Sequence, residues 1–140
     1  MVKPRTDERG QKLTNADLAW FAGFFDGEGC VGAYTRGRSY RASVRVVNTH
    51  LPTLEQYSRA FGGRITSLTR SQEHHRAAFV WSVTGDDASA FLEAILPFLR
   101  EKKEQAALWL SLRLTHPDQQ DRRTFLISEI KRLKRLQHEE

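Results

Sequence analysis

Two acidic residues, Asp26 and Glu28, directly follow an almost wholly apolar segment and are the strongest candidates for chemistry in this sequence. They lie in FAGFFDGEG, residues 21–29, where a helix is predicted to end. The carboxyl end of a helix already carries partial negative charge, so acids there are unfavourable unless a cation compensates. Carboxylate and carbonyl oxygens are the ligands that Mg²⁺ prefers. The pattern fits a divalent-metal site, and a surface loop that tolerates two acids explains it equally well.

The helix that precedes these acids has a clear start. Thr14 is a suitable N-cap, and Asp17 three residues later completes a variant of the capping box. The helix is therefore predicted to run from about Asn15 to Asp26. Its apolar content, LAWFAGFF, is too continuous for a helix with one wet face, so we expect burial nearly all round.

One edge of this helix carries almost no side chain, because Ala19, Gly23 and Gly27 recur every four residues. Small residues at this spacing allow a second helix to approach closely. The sequence therefore predicts a helix–helix contact along this edge.

The remaining elements are predicted from hydrophobic period, turn residues and helix caps. They are strands at 29–36 and 40–48, a helix from Pro52 to Gly62, strands at 64–70 and 76–84, a short helix from Asp86, a helix from Pro97 to about Leu114, and a helix at 122–137. Consecutive strands with short connections imply antiparallel hairpins, so the fold class is α+β, with helices on one face of the sheet. The core order is αββαββα plus C-terminal helices.

The length of 140 residues suits a single domain, which we take to be 1–140. Residues 1–12 are polar and predicted to be flexible, and 115–140 form a C-terminal helical extension. A single cysteine, Cys30, excludes an internal disulfide and a cysteine-rich zinc site. With no apolar run long enough for a membrane helix, we expect a soluble intracellular protein, in the cytoplasm or an organelle, with no membrane partner.

Positive charge is concentrated in the middle of the chain. Residues 36–76 contain eight arginines, no lysine and only two acids, although the whole chain has a formal net charge of +5. Period-two alternation places arginines of the first hairpin on one side of the sheet. Arginine pairs well with phosphates and guanine edges, so this face is a candidate for nucleic-acid binding. An ordinary solvated strand face is the alternative.

Residues 21–29 resemble the LAGLIDADG motif of the homing endonucleases. Two further segments resemble the same family: Val46-Val47-Asn48-Thr49 with the helix up to Gly62-Gly63, and Pro97-Phe98-Leu99 through Lys102 to Ala106. The resemblance covers roughly residues 14–114. It implies a saddle-shaped antiparallel sheet that straddles double-stranded DNA, with the motif helices packed together at a two-fold axis. Only one copy of the motif occurs, so two active sites imply a homodimer.

The resemblance also assigns roles to individual residues. It implies that Glu28 and the carbonyl of Gly27 bind Mg²⁺ (or Mn²⁺), with no small-molecule cofactor. Lys102 would act on the phosphate or attacking water, with Lys103 leaving a one-residue ambiguity, and Asn48 would help to order water. Asn48 as a turn cap and Lys102 as a solvated helix residue are the alternatives.

The family resemblance further implies a dimer interface and a DNA-reading face. The interface would comprise Ala19, Gly23, Asp26 and Gly27, with Asp26 mainly structural. The DNA-reading residues would be Tyr34, Arg36, Arg38, Arg41, Ser43, Arg45, Arg64, Thr66, Arg70 and Arg76. The motif's name has aspartate where this chain has Glu28, and we expect that exchange to alter rate and metal preference while activity is retained.

Three functions remain open from the sequence. The leading one is a site-specific endonuclease that hydrolyses both strands of a long, near-palindromic target with a divalent metal, encoded within an intron or intein. The second is a DNA- or RNA-binding protein on the same fold, such as a maturase or transcriptional regulator. The third is a dimerisation module without nucleic acid. Glu28 and Lys102 favour the enzyme, because a pure binder needs neither.

Overall fold

The computed structural model describes residues 6–7, 9–68 and 77–138. Five α-helices pack on one face of a four-stranded antiparallel sheet, which confirms the predicted α+β class. The elements, in order, are α1 Asn15–Glu28, β1 Gly29–Arg36, β2 Ser39–Asn48, α2 Leu51–Phe61, β3 Arg64–Leu68, β4 Ala78–Val83, α3 Gly85–Ile95, a 3-10 turn Leu96–Phe98, α4 Lys103–Arg113 and α5 Gln120–His138.

The sheet has the strand order β1-β2-β4-β3, and every neighbouring pair is antiparallel. Its central pair, β2 with β4, joins the two predicted hairpins. Val44 lies opposite Val83, and Val46 lies opposite Trp81, so these four buried side chains share the face that the helices cover. Among the described residues, no strand residue on the other face belongs to the core cluster, although Ala78 and Val80 are buried there.

An aromatic cluster fills the space between the sheet and the helices. Tyr57 and Phe91 each contact Trp81, with ring centroids 4.9 and 5.2 Å away. Gly63 has a φ of +80°, and a Cβ there would overlap the Ser82 carbonyl oxygen, so only glycine fits where β3 begins. The Trp81 indole N–H donates to the carbonyl of Gly62 at 2.8 Å, which fixes this turn against the core.

Helix α1 begins as predicted. The Thr14 hydroxyl accepts from the Asp17 N–H, and the Asp17 carboxylate accepts from the Thr14 N–H at 2.8 Å, so the capping box is confirmed. The predicted burial nearly all round is wrong for the single chain. Phe21, Ala22 and Phe25 are buried, while the opposite side of the helix is exposed.

The predicted continuous helix from Pro97 to Leu114 is also wrong. A 3-10 turn over Leu96–Phe98 is followed by four residues outside any helix, and α4 starts only at Lys103. Leu99 is buried in an extended conformation, with φ −72° and ψ 146°. The backbone N–H groups of Arg100 and Lys102 donate to Asp26 instead of to helical carbonyls, which explains the interruption.

Two smaller boundaries differ from expectation. Residues 77 and 84 lie outside β4, which was predicted at 76–84, while residues 69, 70 and 76 of the predicted hairpin lie outside the described residues. Helix α5 begins at Gln120, two residues earlier than expected. No helix in the described part of the chain is long and apolar enough to cross a bilayer.

Candidate active site and nucleic-acid interface

The carboxyl end of α1 meets the segment 100–102, and this junction brings Lys102 to the helix end that carries Asp26 and Glu28. Asp26 accepts from the backbone N–H of Arg100 at 2.8 Å and from that of Lys102 at 3.0 Å. Both carboxylate oxygens are therefore used within the chain. Asp26 holds two segments together that lie more than 70 residues apart in sequence, and no partner molecule is needed to satisfy its oxygens.

Lys102 is directed at the same helix end. Its ammonium group donates to the backbone carbonyl of Asp26 at 2.6 Å. That carbonyl belongs to the last turn of α1, where a cation offsets the partial negative charge of the helix terminus. Lys103 is exposed and begins α4. Of these two lysines, Lys102 is the one that contacts the end of α1.

Glu28 differs from Asp26 in its surroundings. It is the last residue of α1, is exposed, and has no hydrogen bond or ion pair to any other described residue. Gly27 before it is also exposed. Gly29 after it is restricted, because a Cβ there would overlap the ring of the buried Phe25. The helix end is therefore fixed in place while the Glu28 carboxylate remains available.

Asn48 ends β2, next to the start of β1, because Val46 pairs with Gly29. Its side-chain oxygen accepts from the backbone N–H of His50 at 2.8 Å. This bond caps the turn into α2, which matches the alternative reading of Asn48. Asn48 is two residues after the buried Val46 in β2, so both residues lie on the face of the sheet that the helices cover. It lies near the end of the sheet at which α1 leads into β1, and its side-chain carbonyl oxygen is engaged by His50.

The small-residue edge of α1 is open. Ala19, Gly23 and Gly27 are exposed, and a Cβ added to either glycine would meet nothing within 4 Å. Trp20 on the neighbouring position is 44% exposed. The structure therefore leaves this edge uncovered by the chain itself.

The uncovered face of the sheet carries the predicted arginines. Tyr34 lies opposite Arg41, Gly32 opposite Ser43, and Arg36 opposite Ser39, so the polar residues of the first hairpin share one face. Arg45, Ser82 and Arg64 continue that face across β2, β4 and β3. Of the other predicted reading residues, Thr66 is exposed on β3 and Arg38 is exposed in the β1–β2 turn, while Arg70 and Arg76 lie outside the described residues.

Sequence reasoning missed two features. Gln105 in α4 is 2% exposed, and its side-chain oxygen has no hydrogen-bond partner among the described residues. The uncovered sheet face also contains apolar residues, namely Val47, Leu68, Ala78 and Val80. The alternation of side chains along a strand could have revealed these apolar residues, because Val80 is next to the core residue Trp81 and therefore lies on the opposite face of the sheet. Nothing in the sequence around Gln105 distinguishes it from a helix-surface glutamine.

Residues 15–96 match the family model of the LAGLIDADG-like domain. Among solved structures, the homing endonuclease I-CvuI in complex with the I-CreI target superposes with a TM-score of 0.68, at 26% identity over 84% of this chain and 82% of that one. The archaeal intron-encoded homing endonuclease I-Vdi141I, complexed with DNA, gives a TM-score of 0.70 at 17% identity, over 85% and 84% of the two chains.

A curated relative also matches part of the chain. The intron-encoded RNA maturase bI4 of Saccharomyces cerevisiae is 40% identical over 57 residues, which are 39% of this chain. The chain spans only 9% of that relative's length. The family model covers more than half of the chain, and the structural neighbours share its α+β architecture. The protein therefore belongs to the LAGLIDADG family, to which the homing endonucleases belong.

Proposed function

We propose that this protein is a homodimeric, divalent-metal-dependent endonuclease that hydrolyses both strands of a long, near-palindromic double-stranded DNA target. The observation that carries the proposal is the contrast at the end of α1. Asp26 is fully engaged by backbone N–H groups, whereas Glu28, two residues later, is exposed and has no hydrogen bond or ion pair to another described residue; the Lys102 ammonium is bound to the same helix end, at the Asp26 carbonyl. An unpaired carboxylate at a negative helix end is costly unless it has a ligand to bind.

The available donors fit a magnesium-type ion. In the described part of the chain, no group of three or more His, Cys, Asp or Glu could form a metal site. Magnesium, however, is commonly bound through one or two carboxylates together with substrate phosphates and waters. Glu28 and the carbonyl of Gly27 would hold it. A bound divalent cation supplies neutralisation of phosphate charge and a more acidic water.

Lys102 contributes a positive charge that the chain itself positions. Its backbone N–H is bound by Asp26 and its ammonium by the Asp26 carbonyl, so both ends of the residue are fixed to the last turn of α1. An ammonium fixed at the helix end that carries Glu28 can stabilise the negative charge that develops on a phosphate during hydrolysis. Asp26 acts here as a positioning residue.

The dimer is proposed from the open edge of α1. One chain has one such acid, and cutting two strands requires two. Ala19, Gly23 and Gly27 allow close approach of the same helix from a second chain, which would bring the two Glu28 residues together. A two-fold axis there makes the two sheet faces continuous, and it accounts for a near-palindromic target.

A second candidate function is RNA binding in intron splicing, without DNA cleavage. The 57-residue match to an RNA maturase favours it. The same arginine face could contact RNA phosphates. The exposed Glu28, at the helix end that Lys102 contacts, favours the nuclease, because phosphate binding alone is weakened by an unpaired carboxylate.

The proposal is tested by incubating the protein with a library of random DNA duplexes in magnesium and sequencing the cut ends. We expect recovery of one related set of sequences with two-fold symmetry, and no cutting in EDTA. A parallel incubation with an RNA library tests the second candidate. Enrichment of RNA, with no DNA cut or bound, would overturn the endonuclease proposal.

The proposed DNA-binding face of the sheet has its own test. Arg41 and Arg45 are exposed on the uncovered sheet face. Their replacement by alanine should weaken binding of the recovered duplex and reduce the slope of log affinity against log salt by about 0.9 for each lost phosphate contact. The matched control removes Arg59 and Arg122, which are exposed and lie on helices α2 and α5. Equal loss in both double variants would remove the sheet face from the proposal.

A further inference from the structure

The peptide unit between Glu101 and Lys102 is held from two sides. Its N–H group, which belongs to Lys102, donates to the Asp26 carboxylate of α1 at 3.0 Å. Its carbonyl group, which belongs to Glu101, accepts from the side-chain amide of Gln137 in α5 at 2.8 Å. The peptide is trans, so its N–H and its carbonyl point in opposite directions. Helices α1 and α5 therefore bind this peptide unit at its two opposite edges.

The start of α4 leaves the N–H side of Lys102 to these other helices. The Lys102 carbonyl accepts from the Ala106 N–H at 2.9 Å, as in the first turn of a helix. Lys102 is the N-cap, and a glutamine three residues later, here Gln105, can accept from the N-cap N–H. That N–H is bound by Asp26 instead, and the buried side-chain oxygen of Gln105 has no hydrogen-bond partner among the described residues. The orientation of the peptide that leads into Lys102 therefore depends on α1 and α5.

Helix α5 is a firm support for Gln137. Three of its apolar side chains belong to the core cluster and are at most 3% exposed, namely Leu126, Ile127 and Ile130. Near the start of the helix, the buried Arg123 donates to the Thr115 hydroxyl at 2.9 Å and lies 4.8 Å from the centre of the Tyr40 ring. Gln137 follows Ile130 by about two helical turns, so both residues lie on the same side of α5. The packing of α5 thus determines where the Gln137 amide lies.

We propose that Gln137 is a positioning residue for Lys102, because it holds the carbonyl edge of the peptide whose N–H edge Asp26 holds. The inference rests on the proposed endonuclease function, in which the Lys102 ammonium stabilises negative charge on the phosphate. Stabilisation of that kind depends on groups that are held in place before the reaction. A hydrogen bond at the N–H alone leaves the peptide plane free to turn about that bond. The second bond, at the Glu101 carbonyl, removes this freedom.

The test compares two methionine variants at opposite ends of α5. Gln137→Met keeps the approximate length of the side chain but cannot donate to the Glu101 carbonyl. Gln120→Met is the matched control, because the Gln120 amide donates to the Arg38 carbonyl at 2.9 Å, at the start of the same helix. Each variant loses a bond from a side-chain amide of α5 to a backbone carbonyl elsewhere, so weaker docking of α5 should appear in both. Thermal unfolding checks that both variants are folded.

Amide hydrogen exchange, followed by nuclear magnetic resonance without nucleic acid, measures how firmly the peptide is held. The Lys102 N–H should exchange about fivefold faster in Gln137→Met than in the original protein, as expected for the loss of one hydrogen bond that opposes local opening. In Gln120→Met it should exchange at the original rate, since the peptide before Lys102 keeps both of its bonds.

Cleavage of the recovered duplex in a single turnover, with the protein saturating, measures the chemical consequence. The rate constant should fall about fivefold in Gln137→Met, again the effect of one hydrogen bond, while the affinity for the duplex stays within about twofold. Gln120→Met should cleave at the original rate under saturation. A loss of rate without a loss of binding is not expected if the Gln137 bond only stabilises the fold.

Three results would overturn the inference. The first is an unchanged exchange rate of the Lys102 N–H in Gln137→Met. The second is an equal loss of cleavage in both variants, which would make the Gln137 bond a general support of α5. The third is faster exchange in Gln137→Met with cleavage at the original rate. Failure of the proposed function is different, since then the original protein itself cuts no duplex.

Discussion

The two sides of α1 show how one helix serves both the fold and the proposed reaction. On the anchored side, Phe21 and Phe25 are buried, the Phe21 carbonyl accepts from the Tyr57 hydroxyl at 2.8 Å, and Asp26 binds the segment 100–102. On the open side, a Cβ at Gly23 would meet nothing within 4 Å, and Glu28 is exposed with no hydrogen bond or ion pair to another described residue. Stability should therefore depend on the anchored side, and assembly and chemistry on the open side.

The largest difference is expected at Glu28. Glu28→Gln keeps the shape but removes the charge, so cleavage of the recovered duplex should fall by about 10²- to 10³-fold. The free energy of unfolding should stay within about 0.5 kcal/mol of the original, because the side chain is exposed. Binding should persist or strengthen, since a carboxylate that repels phosphate is removed. Cleavage kinetics and a gel-shift titration measure both quantities. Cleavage at the original rate would place the chemistry elsewhere.

Gly23→Leu is expected to have the next largest effect. A side chain at Gly23 meets nothing within the chain, so the fold should tolerate leucine, while close approach of a second α1 should be blocked. Sedimentation at micromolar concentration should show a dimer for the original protein and a 16 kDa monomer for the variant, with cleavage lost. Ser128→Leu on the exposed face of α5 is the control and should remain dimeric. A dimeric, active Gly23→Leu protein would place the interface elsewhere.

On the anchored side, Asp26→Ala should act through stability. Two backbone N–H groups would lose a charged acceptor, at a cost of about 2 kcal/mol in the free energy of unfolding. Urea denaturation of the Asp26→Ala and Glu28→Ala variants compares their free energies of unfolding directly. If the two variants are equally stable, the assignment of a structural role to Asp26 and not to Glu28 is wrong.

The smallest effect is expected at Tyr57. Tyr57→Phe removes the hydroxyl that donates to Phe21 and should cost about 1 kcal/mol. Burial raises the pKa of Tyr57 above its ordinary value of about 10. Because the folded pKa is the higher one, this contribution to stability is complete below about pH 10 and is lost as the pH rises further. Stability should therefore decline less steeply in Tyr57→Phe between pH 9 and 11, as followed by urea midpoints. If stability declines equally in the variant and in the original protein, the pH dependence belongs to other groups.

The sequence predicted the elements around the site better than their contacts. The capping box at Thr14, the strand from Gly29 to Arg36 and the shared arginine face all follow from local spacing and period. The interruption before α4 did not, because residues 100–106 favour a helix and the carboxylate that breaks it is Asp26, far away in sequence. The predicted burial of α1 nearly all round is not met within the described chain for a related reason, since hydrophobic period reports a preference for burial without identifying the partner that covers the surface.

The most direct test of the central claim is whether Glu28, and not Asp26, holds the divalent ion. Binding of Mn²⁺ can be followed by electron paramagnetic resonance in complexes of the recovered duplex with the original protein, Glu28→Gln and Asp26→Asn, with the duplex alone as background. Glu28→Gln should weaken protein-dependent Mn²⁺ binding by at least about tenfold, as expected for loss of a ligand, and folded Asp26→Asn should retain it. Undiminished Mn²⁺ binding in the Glu28→Gln complex would contradict the account.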